Sequence, residues 1–251
     1  MLKIDKRKKY ILVLDVETAG DVGTNPLCYD IGFAVADKHG TIYETFSYAV
    51  SEIFDDDALM RSAYYYTKLP LYLEKIAQGH MKVKPLRYIR KVILNLIEKY
   101  NITKVAAYNA HFDFNKALNN TWQELTNYPY FFPYEVNQKL EVMCIWNMAC
   151  QTIFSQKTFP KWAIENGFYS KAGNLKTNAE VAYNWLMKSN DFVEEHTGLS
   201  DVLIEAEIMA WCFKQKKKMK RGINRYCWKI PTSVHKEKIH EMNMKELALT
   251  I

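Results

Sequence analysis

The sequence predicts an α/β fold built on a mixed sheet flanked by helices, and three stretches carry that prediction. The run from Tyr10 to Thr18 is apolar, rich in β-branched residues and followed by Gly20 and Gly23, which reads as a central strand buried on both faces. Two alternating apolar runs, Cys28 to Ala36 and Thr41 to Val50, flank the turn chemistry of Asp37-Lys38-His39-Gly40. They are expected to form an antiparallel hairpin and to complete a three-stranded meander. After Pro85 an amphipathic helix carries Leu86, Ile89, Ile93, Leu96, Ile97 and Tyr100 at helical spacing, then leads into the short apolar run Lys104 to Tyr108. A helix followed by a return strand is a crossover, which adds parallel strands.

The first strand ends in charge. Residues two apart in an extended strand share a face, so Asp15 and Glu17 project side by side. Adjacent carboxylates repel, and each resists ionising unless a cation lies between them, which makes a divalent metal the natural third party.

The later elements follow from the same periodicities. Ala58 to His80 is helical in pattern and aromatic-heavy, with Tyr64, Tyr65, Tyr66 and Tyr72 expected to fill a core rather than stack on bases. Asp55-Asp56-Asp57 is a capping and loop cluster without the spaced ligands of a calcium loop. The short run Val105-Ala106-Ala107 precedes Tyr108-Asn109-Ala110-His111-Phe112-Asp113, and Asp113 is expected in the first turn of a helix, where a carboxylate is electrostatically welcome. Val142, Ile145, Trp146, Ala149 and Ile153 mark another amphipathic helix, and Asn178 to Lys188 a further one. Asn190 to Ser200 reads as a loop. Beyond it Asp201 opens a helix through Leu203, Ala206 and Met209, with Glu205 and Glu207 expected on its surface, although Glu205 falls one turn after Asp201, where it could also join the acids.

Composition sets the outer bounds. At 251 residues, 49% apolar and 14% aromatic, the chain is long enough for one sizeable core. The net charge of +6 is gathered in two clusters, Lys3 to Lys9 and Lys214 to Lys229, which suit a polyanionic ligand. Five scattered cysteines without zinc-finger spacing read as buried free thiols in a reducing compartment, and neither a secretory signal nor a membrane-length apolar run is present, so a cytoplasmic location is expected.

Three motifs in chain order, Asp15-Val16-Glu17-Thr18, Asn109-Ala110-His111-Phe112-Asp113 and a His196 five residues before Asp201, resemble those of the DEDDh exonucleases, the DnaQ-like family with an RNase H-like fold. The resemblance spans roughly the first 215 residues, implying an exonuclease domain over 1–215 and a basic extension over 216–251. It departs from the family at Tyr108, where a His is usual, and gives His111 no catalytic role. The resemblance implies two Mg²⁺ or Mn²⁺ ions held by Asp15, Glu17, Asp113 and Asp201, with His196 as general base. It further implies that Thr18, Ala19, Asn109 and Phe112 lie about the terminal nucleotide and that hydrolysis runs 3′ to 5′. The partner expected is nucleic acid with a free 3′ end, with single-stranded or frayed DNA leading, RNA in the manner of RNase T or oligoribonuclease as the alternative, and a non-catalytic binding subunit as the reading from another class. The segment from Gly222 to Ile251 is expected to dock on a polymerase, pair two copies or pack on its own domain, and no membrane partner is expected.

Overall fold

Alternation along the first strand decides the layering. In β1 (Tyr10–Ala19) Leu12, Leu14 and Val16 enter one apolar core, while Ile11 and Val13 enter a second core on the opposite face. The structure is a computed structural model that describes residues 4–5, 7–170 and 174–235. The carboxy-terminal part of the Gly222 to Ile251 segment, from 236 onward, lies outside the described residues. Strands β2 (Leu27–Asp37) and β3 (Ile42–Val50) form the expected antiparallel meander with β1. The turn between β2 and β3 is closed by Asp37, whose carboxylate accepts the His39 N–H at 2.8 Å, the Thr41 N–H at 3.2 Å and the Tyr43 hydroxyl at 2.8 Å. Strand β4 (Lys82–Lys84) pairs parallel to β3, β5 (Lys104–Ala107) parallel to β1, and β6 (Glu141–Cys144) parallel to β5. The resulting six-stranded sheet has the order β4-β3-β2-β1-β5-β6.

The stretch Ala58 to His80 is not one helix. It begins in α2 (Asp57–Met60), close after α1 (Ser51–Phe54), passes through a 3₁₀ turn and resumes as α3 (Leu69–Ala77), which carries a Pro in its first turn. Tyr72 fills the core as expected, whereas Tyr64 is exposed. Helix α4 (Leu86–Lys99) seats Leu86, Ile89, Ile93 and Leu96 against the first core. A π-helical segment, His111–Leu118, runs directly into α5 (Asn119–Thr126), and the short α6 (Tyr134–Asn137) precedes β6. Val142 belongs to β6, and the helix expected there starts later, as α7 (Ile145–Thr152). Four residues are too few to display a strand's alternation, and their pairing with β5 is non-local. Together with α8 (Phe159–Glu165), α9 (Ala179–Met187) and α10 (Gly198–Lys214), α7 covers the second core, and α11 (Lys229–Val234) packs on α7.

Helix α10 lies unusually close to the sheet because both surfaces are small. Strand β2 offers Gly32, Ala34 and Ala36 on one face, and α10 meets it with Gly198, Val202 and Ala206 at four-residue spacing, with Ala210 following under the turn at Gly40. A Cβ on Gly32 would stand 2.0 Å from the Gly198 carbonyl carbon and 2.1 Å from the Leu199 nitrogen. A Cβ on Gly198 would stand 2.5 Å from the Gly32 nitrogen and 3.1 Å from the Asp15 carbonyl oxygen. Neither backbone can yield without lifting the helix from the sheet. Gly32→Ala is therefore expected to destabilise the protein by about 3 kcal/mol, lowering Tm by about 6–12 °C. Gly222→Ala, which meets nothing within 4 Å, should stay within about 0.5 kcal/mol. Thermal melts that coincide for the two variants would disprove the close packing.

Candidate active site

The face of β1 that bears Ile11 and Val13 continues into Asp15 and Glu17, so the period of the strand delivers both acids beneath α10. Directly after Glu17 the register with β2 shifts, a bulge that re-aims Thr18 and Ala19 at the strand's end. Opposite Glu17 in the ladder stands Asp30, fully buried. Its Oδ2 accepts the Gly198 N–H at 2.7 Å and the Tyr72 hydroxyl at 3.0 Å. Thr197, the residue preceding α10, makes no capping bond with its own side chain, so a carboxylate from β2 caps this helix from across the fold.

Asp113 arrives from the end of β5. The Asn109 carbonyl accepts the N–H of Phe112 at 2.7 Å and of Asp113 at 3.1 Å, starting the π-helical segment, and the Asp113 carboxyl is buried and hydrogen-bonded to the Val16 backbone of β1. Beyond those tighter bonds His111–Leu118 is π-helical, and such wide turns concentrate at functional sites. Asp201 lies in the first turn of α10 and is buried. One turn on, Glu205 is also buried, at 2% exposure, and its Oε2 accepts the Tyr108 N–H at 3.1 Å, where β5 has just ended. This corrects its expected place on the helix surface, while Glu207 is exposed as expected. The Tyr108 hydroxyl donates to the Thr177 carbonyl at 2.7 Å, a structural role.

The His196 loop is tied down on both sides. Lys68 Nζ donates to the Glu195 carbonyl at 2.5 Å, and the Glu195 carboxylate accepts the hydroxyls of Thr197 and Ser200 at 2.7 Å each and pairs with Lys75. Burial opposes its charge, but the bonds from Lys75, Thr197 and Ser200 hold the Glu195 carboxyl down to about 2. His196 takes a left-handed backbone, φ +54°, a conformation that costs a non-glycine residue free energy. Its imidazole stacks on Tyr65 with centroids 4.2 Å apart and planes at 13°. Nδ1 lies 3.9 Å from both Asp201 Oδ2 and Glu194 Oε2.

Electrostatically the cluster is under strain. Burial, then repulsion from Glu205, Asp113, Asp201 and Glu17, raises Asp15 well above the ordinary carboxylate range. Burial likewise raises Glu17 and Glu205, each with Asp113 and Asp201 among the repelling neighbours. Desolvation pushes the Asp113 carboxyl up to about 8, and desolvation with repulsion from Glu194 pushes Asp201 up to about 8. His196 moves the other way, lowered by burial and then by Lys68, which leaves a neutral ring able to accept a proton near neutrality.

These residues suit a hard divalent cation. Asp15 Oδ2 and Asp201 Oδ1 are buried without a hydrogen-bond partner, and ligand atoms of Glu17, His196 and Asp201 lie within 4.8 Å of one another. Oxygen-rich donor sets with unneutralised charge fit Mg²⁺ or Mn²⁺. The fold thus brings together Asp15, Glu17, Asp113, His196 and Asp201. Thr18 and Ala19 are buried at the end of β1, Asn109 is exposed, and Phe112 is half-buried against the first core. Asp30, Glu194 and Tyr65 join the site without having been anticipated in those roles, and Glu205 joins it although expected on the helix surface. Glu205 was legible in principle, since it stands four residues after Asp201 on a face marked by Val202, Ala206 and Met209. Asp30 was signalled only as a lone acid inside an apolar strand.

The arrangement is similar in fold to a full-length 3′-exonuclease, over 87% of this chain and 88% of that one, at 13% identity and a TM-score of 0.57. Looser likenesses extend to E. coli exonuclease I in complex with a 5cy-dT13 oligonucleotide, at 14% identity over 84% of this chain and 41% of that one with a TM-score of 0.49. S. pombe Pop2p in its Mg²⁺ and Mn²⁺ bound form matches at 12% identity over 82% and 83%, with a TM-score of 0.45. No family model and no curated protein matches the chain. The six-stranded mixed sheet flanked by helices is the RNase H-like fold class expected from the sequence. Among the described residues no helix is long and apolar enough to cross a membrane.

The raised carboxyls fix the sign of a pH response. Asp113 and Asp201 hold protons up to about pH 8 when folded, against an ordinary 3.8. The unfolded chain binds fewer protons in that window, so the stability of the metal-free protein should decline as pH rises from about 4 to about 8. Mg²⁺ or Mn²⁺ should raise Tm more at pH 8 than at pH 5.5, because protons no longer compete for the oxygens. At hundredfold excess over Kd the gain is about 2.7 kcal/mol, or about 5–10 °C. Glu205→Gln keeps an acceptor for Tyr108 and removes one charge, so it should raise the metal-free Tm at pH 8. A melting temperature flat with pH and indifferent to metal would contradict this account.

Proposed function

We propose that this chain is a metal-dependent exonuclease that removes nucleoside 5′-monophosphates from the 3′ end of single-stranded or frayed DNA. The observation that carries the reading is the convergence of four acids from three separate elements, Asp15, Glu17, Asp113 and Asp201, with a neutral histidine at their edge. The fold likeness to a 3′-exonuclease supports it. Asp15, Glu17, Asp113 and Asp201 would hold two Mg²⁺ or Mn²⁺ ions. When bound, such ions supply Lewis-acid chemistry at a phosphodiester, stabilising charge on its oxygens and easing proton loss from water.

The chain's own residues do the rest. His196 takes the proton from the attacking water through a ring nitrogen, and its lowered proton affinity keeps that nitrogen vacant at neutral pH. Tyr65 holds the ring's plane by stacking. Thr18, at the strand's end after Glu17, and Asn109 and Phe112, at the start of the π-helical segment, would lie about the terminal nucleotide, with Ala19 behind them in the first core rather than facing the ligand. Glu205 keeps the second motif in place through the Tyr108 N–H.

Release of mononucleotide from a 3′-labelled strand in Mg²⁺ or Mn²⁺ tests the reading, and a 5′-labelled strand shortening in single steps fixes the polarity. Asp15→Asn and Asp201→Asn should abolish turnover. His196→Ala should lower kcat by about 10²–10⁴ with metal affinity retained. The rate of the unaltered protein should rise with pH and level off below neutrality, as the lowered imidazole loses its proton. Matched DNA and RNA strands digested in parallel decide the sugar. Wild-type rates in both aspartate variants would remove the assignment.

A further inference from the structure

Between Glu207 and His235 the chain carries eight lysines and arginines and no acid. A run of this kind is ordinarily a solvated face, but here its backbone is built into the domain. The Arg221 carbonyl accepts the Cys144 N–H at the end of β6 at 2.7 Å. Asn147 Nδ2 donates to the Gly222 carbonyl at 2.8 Å and the Lys220 carbonyl at 3.2 Å. Gln151 grips Lys220 twice, accepting its N–H at 3.0 Å and donating to its carbonyl at 2.8 Å. Further on, Cys227 is fully buried and Ile230 packs against the second core. With the backbone so anchored, Lys218, Arg225, Tyr226, Trp228 and Lys229 face solvent.

The course of the segment leads to the π-helical segment that carries Asp113. Arg225 Nε donates to His111 Nε2 at 2.9 Å, two residues before Asp113 on the same π-helical segment. Beside it Lys229 Nζ lies over the rings of Tyr226, at 4.8 Å from the centroid, and Trp228, at 5.4 Å. Tyr226 is 62% exposed and Trp228 39%. Cations interleaved with open aromatic faces are the combination that takes phosphates and unpaired bases together. An acid-lined site repels the polyanion it must act on. Affinity therefore has to come from outside it, and this basic surface adjoins the segment that carries Asp113.

We propose that residues 217–229 form a fixed strap that holds the single-stranded part of a nucleic acid whose 3′ end enters the acid cluster. Lys218, Arg225 and Lys229 take phosphates, and Tyr226 and Trp228 stack on bases. The strap rests on the nuclease reading for its purpose. Its occupant is single-stranded because a duplex hides its base faces.

The test is binding of a fluorescent single-stranded oligonucleotide to the full chain by anisotropy in EDTA, where hydrolysis plays no part. Lys218→Gln/Arg225→Gln/Lys229→Gln should raise Kd about tenfold or more near 0.1 M salt and reduce the slope of log Kobs against log salt by about 2. Tyr226→Leu/Trp228→Leu should weaken single-strand binding about fivefold or more and leave duplex binding nearly unchanged. A charge-matched control on other surfaces, Lys91→Gln/Lys161→Gln/Lys188→Gln, should bind as the unaltered chain, and melting curves establish that each variant is folded. Strap variants with unchanged affinity and salt slope, or a control set that weakens binding equally, would overturn the proposal. Strap-dependent binding without any cleavage would sink the nuclease reading and uphold the strap, and cleavage with strap-independent binding would do the reverse.

Discussion

The contact between Gly32 and Gly198 sets the geometry on which the rest of the structure depends. With no Cβ on either residue, the first turn of α10 rests on the backbone of β2 and touches the carbonyl of Asp15. At that height the Gly198 N–H reaches Asp30 at 2.7 Å, and an aspartate side chain, which has only one methylene of reach, brings the Asp201 carboxylate to the acids of β1. The small residues that continue the contact, Ala34 and Ala36 against Val202 and Ala206, keep the helix against the sheet, so Glu205 arrives one turn later at the end of β5. Packing and chemistry are therefore a single requirement here. Any side chain large enough to separate the layers also withdraws the carboxylates.

The second constraint is charge. Asp15, Glu17, Asp113, Asp201 and Glu205 repel one another inside a desolvated pocket. Among the described residues no lysine or arginine forms an ion pair with any of them. The nearest cations are committed elsewhere, Lys68 to the Glu195 carbonyl and Lys75 to the Glu195 carboxylate. Such a cluster relaxes by taking up protons or by taking up a cation, and the two compete for the same oxygens. A purely structural set of buried acids would ordinarily be paired or hydrogen-bonded. The unpartnered Asp15 Oδ2 and Asp201 Oδ1 are the opposite arrangement.

What was legible in the sequence was what repeats locally. The period of two in β1, the turn at Asp37 to Gly40, and the period of 3.6 in α4 and α9 each lie within a single element or turn and match the observed elements. The loop that carries His196 and the helix that carries Asp201 were readable for the same reason. Strands β4 and β6 were not, because three or four residues cannot show a period and their partners are distant in the chain. Glu205 was misread because a polar residue beside Glu207 looks like surface, whereas the buried face of α10 is set by the glycine contact at its start. Asp30 caps a helix 168 residues away, a relation without a local signature. The break in Ala58 to His80 has a related cause, since Tyr65 and Lys68 are both drawn to the His196 loop, where the ring of one stacks and the ammonium of the other binds a carbonyl.

That loop divides the third motif between two mechanical regimes. Asp201 is fixed by the hydrogen bonds of α10, as a ligand must be. His196 is fixed differently. Its backbone is locked in the left-handed region, at a cost of order 1–3 kcal/mol, while Glu195 knots the following turn through Thr197 and Ser200. The imidazole itself rests on the face of Tyr65. Stacking is strong normal to the ring and weak within its plane, so it fixes the tilt of the ring and leaves its position in that plane soft. Backbone and ring plane are thus held while a ring nitrogen keeps freedom to move towards a water and back. A base held by a directional hydrogen bond would be fixed in position as well. The left-handed backbone at His196 is the strain that sets the ring on Tyr65 and so makes that division possible.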